Sequence, residues 1–201
     1  MKIILTESQK SLILEQEGFD EFLSKLSEKK PDSVYVMEFL SDFIKKSGCQ
    51  RIEFKLFNNQ YHGVSLHDRV LINEIVLKNN LTYILYVIFH EIAHQYQYKK
   101  YGIDKMYGMY SGDISISEGA KWLKNVVEIA DDCAFRKIRE LMKKTDKIKF
   151  NYESLRKNYD NINLSIYEQI INHVISIIKK GDYKNKIDIS EIIYNNVLNR
   201  V

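Results

Sequence analysis

Two histidines four residues apart, with a glutamate directly after the first, are the residues of this chain best placed to do chemistry: His90-Glu91-Ile92-Ala93-His94. On a helix, positions i and i+4 share a face, so both imidazoles can reach one cation about 2 Å from each ring nitrogen. Glu91 is rotated about 100° from His90. Its carboxylate therefore falls beside a water carried by the cation rather than among the ligands. A zinc ion lowers the pKa of such a water to about 7, and the carboxylate can take its proton as the water attacks a carbonyl carbon. Only five histidines occur in 201 residues, so this spacing is uncommon by chance. The ordinary alternative is a helix with two core-edge histidines and a surface glutamate. Against it, the seven residues Tyr83, Ile84, Leu85, Tyr86, Val87, Ile88 and Phe89 are apolar or aromatic on every side, as in a buried helix. Ionisable groups that end a buried helix need partners, and a metal is one.

A catalytic zinc takes three protein ligands and keeps one position open. The third is expected from a later helix, at Glu128 in Val126-Val127-Glu128-Ile129-Ala130-Asp131-Asp132-Cys133-Ala134. Asp132, one turn beyond Glu128 on the same face, could accept the second ring N–H of a ligating histidine. Asp131, only about 60° round the helix from Glu128, is the alternative ligand. A solvated acidic face is the bland reading, but the apolar residues flanking these carboxylates are poor company for it. Tyr107 and Tyr110 are candidate donors to the oxyanion of a tetrahedral intermediate. His62 and His67 read as surface or turn residues, and His173 as a core-edge histidine on an apolar helix face.

These residues need elements to hold them. Residues 81–101 read as the central helix, capped by Asn79-Asn80 and closed by Gly102. Before it, 51–57 alternates strictly as a half-buried strand should, 58–60 is a turn, and 61–66 and 69–76 are further strands, with Val70 and Ile72 inward. At the start, 1–5 reads as a short strand or arm. Thr6 and Gln9 form a capping box for a helix that stops at Gly18, and 19–28 continues amphipathically to the break at Pro31. A helix is predicted over 32–47, ended by Gly48. Downstream come a tyrosine-rich loop over 103–112 and a long helix over 115–144 whose apolar side is Trp122, Val126, Ile129, Cys133 and Ile138. An amphipathic helix follows over 166–180, ended by Gly181, and a last one from 190 to the terminus.

Composition narrows the class. The length suits one domain, divided as N-terminal helices (1–48), a core (49–145) and C-terminal helices (146–201). A net charge of +3, with lysines in scattered pairs, argues against nucleic acid as a partner. The two cysteines, Cys49 and Cys133, have no CxxC spacing, which argues against a cysteine zinc site and a disulfide framework. No secretory signal or bilayer-length apolar run is visible, so a soluble cytoplasmic chain with no membrane partner is expected.

HEIAH followed by Glu128-x-x-x-Asp132 on a later helix resembles the gluzincin metallopeptidases, in which HExxH and a downstream glutamate bind zinc. Among them it is most similar to the small-core HtpX-like and ImmA/IrrE-like groups, whose second helix carries Glu-x-x-Ala-Asp or Glu-x-x-Ala-Asn. This chain departs by one step, because Ala130 directly precedes Asp131 rather than Asp132. Alignment on Ala130-Asp131 would place Val127, which cannot bind zinc, at the ligand position. SprT-like proteins share the strand-strand-helix order but use a third histidine, and none follows here at a suitable distance. The opening Ile3-Ile4-Leu5-Thr6-Glu7-Ser8-Gln9 resembles the start of many tailed-phage proteins, which implies a phage origin. The resemblance implies an α+β minimal zincin, with a three-stranded sheet on the HExxH helix, that hydrolyses a protein or peptide substrate with Zn2+. In that reading His90, His94 and Glu128 are ligands, Glu91 is the general base and Asp132 supports a ligand. The alternative is a catalytically silent zincin fold with a structural metal, used as a virion or scaffold component.

Overall fold

The computed structural model describes residues 7–57, 61–108, 110, 114–157 and 164–180, together with Ile189, Glu191, Ile192, Tyr194 and Asn195; the side chains of 7–17 and of 166 lie outside the description. The arm over 1–5, the Thr6 capping box, the turn at 58–60, the Gly181 stop and the C-terminal helix as a whole fall outside it.

The architecture is α+β, as expected. The strict alternation after Gly48 becomes β1 (Arg51–Lys55), with Ile52 and Phe54 buried. β3 (Arg69–Asn73) pairs with it in parallel, setting Ile52 beside Val70 and Phe54 beside Ile72. β2 (Gly63–Ser65) pairs antiparallel with the other side of β3, so the strand order is β1-β3-β2 and β2 is an edge. The third strand is shorter than predicted. At Asn73 the chain turns into a 3-10 segment, Glu74–Lys78, because the Asn73 side chain accepts from the Ile75 N–H and caps it.

α1 spans Glu7–Lys29 without a stop at Gly18, correcting the predicted break. A glycine inside a helix costs only about 1 kcal/mol, and the continuation brings Phe22 onto Phe54, ring centroids 4.5 Å apart. A methyl group on Gly18 would meet nothing within 4 Å. Gly18→Ala is therefore expected to raise stability by about 0.5–1 kcal/mol; a lower Tm for the variant would contradict a continuous α1. The helix predicted over 32–47 begins instead as a 3-10 segment, Pro31–Val36, which buries Ser33 and Val36 and leaves Val34 and Tyr35 exposed. α2 (Met37–Ser47) follows, and Gly48 ends it with φ +79°, a conformation open to glycine at little cost.

α3 (Leu81–Tyr101) is the central rod. The Asn80 side chain accepts from the Tyr83 N–H at its start, and the Gly102 N–H donates to the Tyr98 carbonyl at its end. Sheet, α1 and α2 cover its first half in one core containing Ile52, Val70, Leu85, Ile88 and Phe89. The segment predicted as a tyrosine-rich loop opens with a short helix, α4 (Ile103–Gly108), which buries Met106 and Tyr107. α5 (Ile116–Lys144) starts at a capping box between Ser115 and Glu118 and packs along α3. α6 (Tyr152–Lys157) is short, and α7 (Leu164–Lys180) lies on α5, with Tyr167 and Ile171 packed against Leu123 and Val126. No helix among the described residues is long and apolar enough to cross a membrane.

α5 is turned relative to its predicted face. Its buried side runs through Ala120, Leu123, Val126, Ala130, Ala134, Ile138 and Leu141, whereas Ile129 is 42% exposed and Cys133 half-buried. Ala130 and Ala134 are both fully buried, and Ala134 lies in the core that holds Tyr86, Phe89 and Ile92 of α3, where a small side chain lets the two backbones approach. The shift is about one residue step, or roughly 100° about the axis.

Candidate metal centre

α3 places His90 and His94 on one face, and each ring is held from behind. His90 Nδ1 lies 2.8 Å from Asp131 Oδ1 on α5, and the Tyr86 hydroxyl donates to the same carboxylate oxygen. His94 Nδ1 lies 2.6 Å from Gln97 Oε1, while Gln97 Nε2 donates to the Val126 carbonyl at 2.7 Å. That second bond orients the Gln97 amide, so its oxygen faces His94 and accepts from Nδ1–H. Both rings thus donate through Nδ1, which leaves each neutral ring a lone pair on Nε2. The two Nε2 atoms face each other at 3.1 Å. Two lone pairs at that separation repel unless a cation lies between them. Two nitrogens bound tetrahedrally to one zinc at 2.0–2.1 Å would stand about 3.3 Å apart. At that spacing one shared proton joins the two rings in a hydrogen bond, and two ligands on one metal ion would stand at a similar separation.

Electrostatics sharpen the asymmetry. Burial pushes His94 down to about 3, with the neighbouring His90 adding to the effect. At His90 burial also opposes charge, but the Asp131 hydrogen bond and the Glu91 and Asp131 carboxylates outweigh it and raise its pKa. Glu91 is 8% exposed, and burial pushes its carboxyl up to about 7. A carboxylate at that value can both take and return a proton near neutral pH.

Glu91 and His94 form one wall of a cavity of about 240 Å³, open on one side and lined by residues of β2, α3, α4, α5 and α7. Its lining is largely apolar, including Val64, Met106, Val127 and Ile170. β2 approaches Glu91 very closely: a Cβ on Gly63 would lie 2.4 Å from Glu91 Cγ and 2.7 Å from Oε1. Gln95 ties the end of the same strand to α3 by donating to Ser65 Oγ at 2.5 Å and to the Leu66 carbonyl just beyond it at 2.6 Å, and the Tyr98 hydroxyl donates to the Ser65 carbonyl at 3.2 Å. Tyr107 and Tyr110 both line the cavity, where burial raises the Tyr110 pKa and keeps its hydroxyl protonated.

Glu128 does not join the two histidines. Its side chain is 58% exposed and 3.5 Å from Lys124 Nζ, on the outer side of α5. The rotation of α5 that seats Ala130 and Ala134 carries Glu128 outward and brings Asp131 to His90 instead. Asp131, predicted as an alternative ligand, thus occupies the supporting role expected of Asp132. Asp132 lines a separate surface groove beside Ile129 and Cys133. One turn before Asp131, the position facing the cavity is held by Val127. Among the described residues, no three His, Cys, Asp or Glu side chains stand together as a metal-binding group. His62 contacts the Tyr83 hydroxyl and His67 lies 3.7 Å from Asp68, so neither serves this site.

Gln97 and Tyr86 were open to discovery in the sequence, lying three residues after His94 and four before His90 on the same helix. Gly63 carried no such signal, because its neighbour is distant in the chain. Compared with known protein families, characterised proteins and solved structures, the chain matches none.

Proposed function

We propose that this protein is a zinc-dependent peptidase with a zincin-like core, in which His90 and His94 hold the ion through Nε2. The observation that carries the reading is the pair of Nε2 atoms 3.1 Å apart, each ring fixed in the Nδ1–H tautomer by an acceptor behind it. A zinc ion held there would polarise the substrate carbonyl and lower the pKa of its water to about 7. Glu91 takes the proton of the attacking water and delivers it to the leaving amine, a role suited to a carboxyl buried beside the ion. Tyr107 and Tyr110 line the same cavity and supply hydroxyl donors for the developing oxyanion. Edge strand β2 offers backbone groups to an extended peptide, and the apolar cavity beside Glu91 suits a hydrophobic substrate side chain.

The second reading is a catalytically silent relative with a metal in a structural role. Val127, standing where a ligating carboxylate would complete the set, favours it. Metal analysis of the purified protein is the first test. About one zinc per chain is expected, lost in His90→Ala and His94→Ala; a wild-type chain that takes up no zinc from a buffered solution overturns both readings.

A further inference from the structure

We infer that the trough between α2 and α5, floored by the second half of α3, docks an acidic segment of a partner protein that carries apolar anchors. The trough lies across the α3–α5 seam from the cavity beside Glu91, and the inference does not rest on the metal-centre reading. Its volume is about 760 Å³. Ala93, Tyr96, Gln97 and Lys100 line its floor, over roughly 10 Å of helix. Phe39 and Phe43 of α2 stand on one wall, Ile129 and Cys133 of α5 on the other. Ile129 belongs by its residue type to the apolar side of α5, but the packing of α5 on α3 leaves it 42% exposed. An apolar strip of this kind, set between three helices, is a surface on which a further amphipathic segment can lay its own apolar face.

Charge selects the occupant. Lys46, Lys100, Arg136, Lys137 and Arg139 line the trough against two carboxylates, Asp42 and Asp132. Lys46 is paired with Asp42 at 2.7 Å, and Lys137 with Glu140 at 2.7 Å. The other three cations meet uncharged groups. Lys100 Nζ stands 5.1 Å from the centroid of the Tyr101 ring, Arg136 Nη2 lies 3.9 Å from Cys133 Sγ, and the Arg139 guanidinium is 6.0 Å from the Tyr152 ring. None of these contacts neutralises a charge, and all three side chains are exposed. The strip is therefore complementary to a segment in which leucine or phenylalanine is interspersed with aspartate or glutamate. A nucleic-acid backbone would meet the same cations, but it would leave the apolar strip uncovered and set phosphates against Asp42 and Asp132. A peptide is the better fit.

The test uses the full chain and a fluorescein-labelled amphipathic peptide of leucine and glutamate, read by anisotropy at low salt. Saturable binding is expected, weakening several-fold as salt is raised. Lys100→Glu and Arg136→Glu should each weaken it by at least about 10-fold, and Ile129→Ser by at least about threefold. Lys180→Glu on α7, outside the trough, makes the same change in net charge and should alter binding less than about twofold. The same peptide with lysine in place of glutamate should not bind. Amide chemical shifts of the wild-type chain need no variant: on adding the Leu/Glu peptide they should move in α2, α3 and α5 around the trough. Absence of binding, an equal loss in Lys180→Glu, unchanged affinity in Lys100→Glu and Arg136→Glu, or shifts confined to other elements each overturn the inference. Tighter binding of single-stranded DNA of the same charge overturns it in favour of a nucleic-acid surface.

Discussion

Glu91→Gln is expected to lower peptide hydrolysis by about 10²–10⁴-fold while zinc stays bound at the wild-type stoichiometry. The amide keeps the shape of the side chain but cannot take a proton from water. The readout is turnover of a quenched-fluorescent peptide library by the two proteins at equal zinc content. Equal turnover would remove Glu91 from the reaction, and a wild type with no turnover to lose would favour the silent reading. The same variant has a second signature, in stability of the metal-free chain. Burial raises the Glu91 pKa from 4.5 to about 7, so the folded state binds this proton more tightly than the unfolded one. The stabilisation linked to that proton is complete below the unfolded pKa and is lost as pH rises through about 7. Glutamine carries no such proton. Relative to wild type, Glu91→Gln should therefore gain on the order of 3 kcal/mol in metal-free stability between pH 4 and pH 8. Urea unfolding at the two pH values, with chelator present, measures it, and a stability difference that does not grow with pH would contradict the buried carboxyl.

Gly63→Ala is the second large effect, and it separates the fold from the site. An added methyl carbon would lie 2.4 Å from Glu91 Cγ and 2.8 Å from Cδ, so either β2 or the Glu91 side chain must shift. The side chain is the softer of the two, because β2 is tied to β3 by its ladder and to α3 through Gln95 and Tyr98. Overpacking of this kind costs about 1–3 kcal/mol. A carboxylate displaced by about 1 Å can cost about 10²-fold in rate. Hydrolysis should thus fall by two orders of magnitude or more while zinc content is unchanged and unfolding remains cooperative. Wild-type turnover in Gly63→Ala would mean that the strand, and not Glu91, gives way.

The parts of the site that lie on one helix were legible in the chain alone. Histidines four residues apart, an apolar run before them, Asn80 at the start and Gly102 at the end all act over a few residues through hydrogen bonds and side-chain spacing. The alternation at Ile52 and Phe54 announced a half-buried strand for the same reason. Gly18 misled because a local penalty of about 1 kcal/mol is outweighed when Phe22 and Leu26 pack into the core.

Taken alone, the amino-acid order determined which residues share a helix face, and so that His90 and His94 point the same way. It did not determine how far α5 turns about its own axis against α3. That angle is set by which side chains let two backbones approach, and Ala130 and Ala134 chose it. The choice sent Glu128 toward Lys124, Asp131 to His90 and Val127 to the cavity. The closeness of Gly63 to Glu91 and the trough between α2 and α5 also belong to the tertiary structure. Periodicity relates residues within one element, whereas contacts between elements depend on packing that no short stretch of sequence contains.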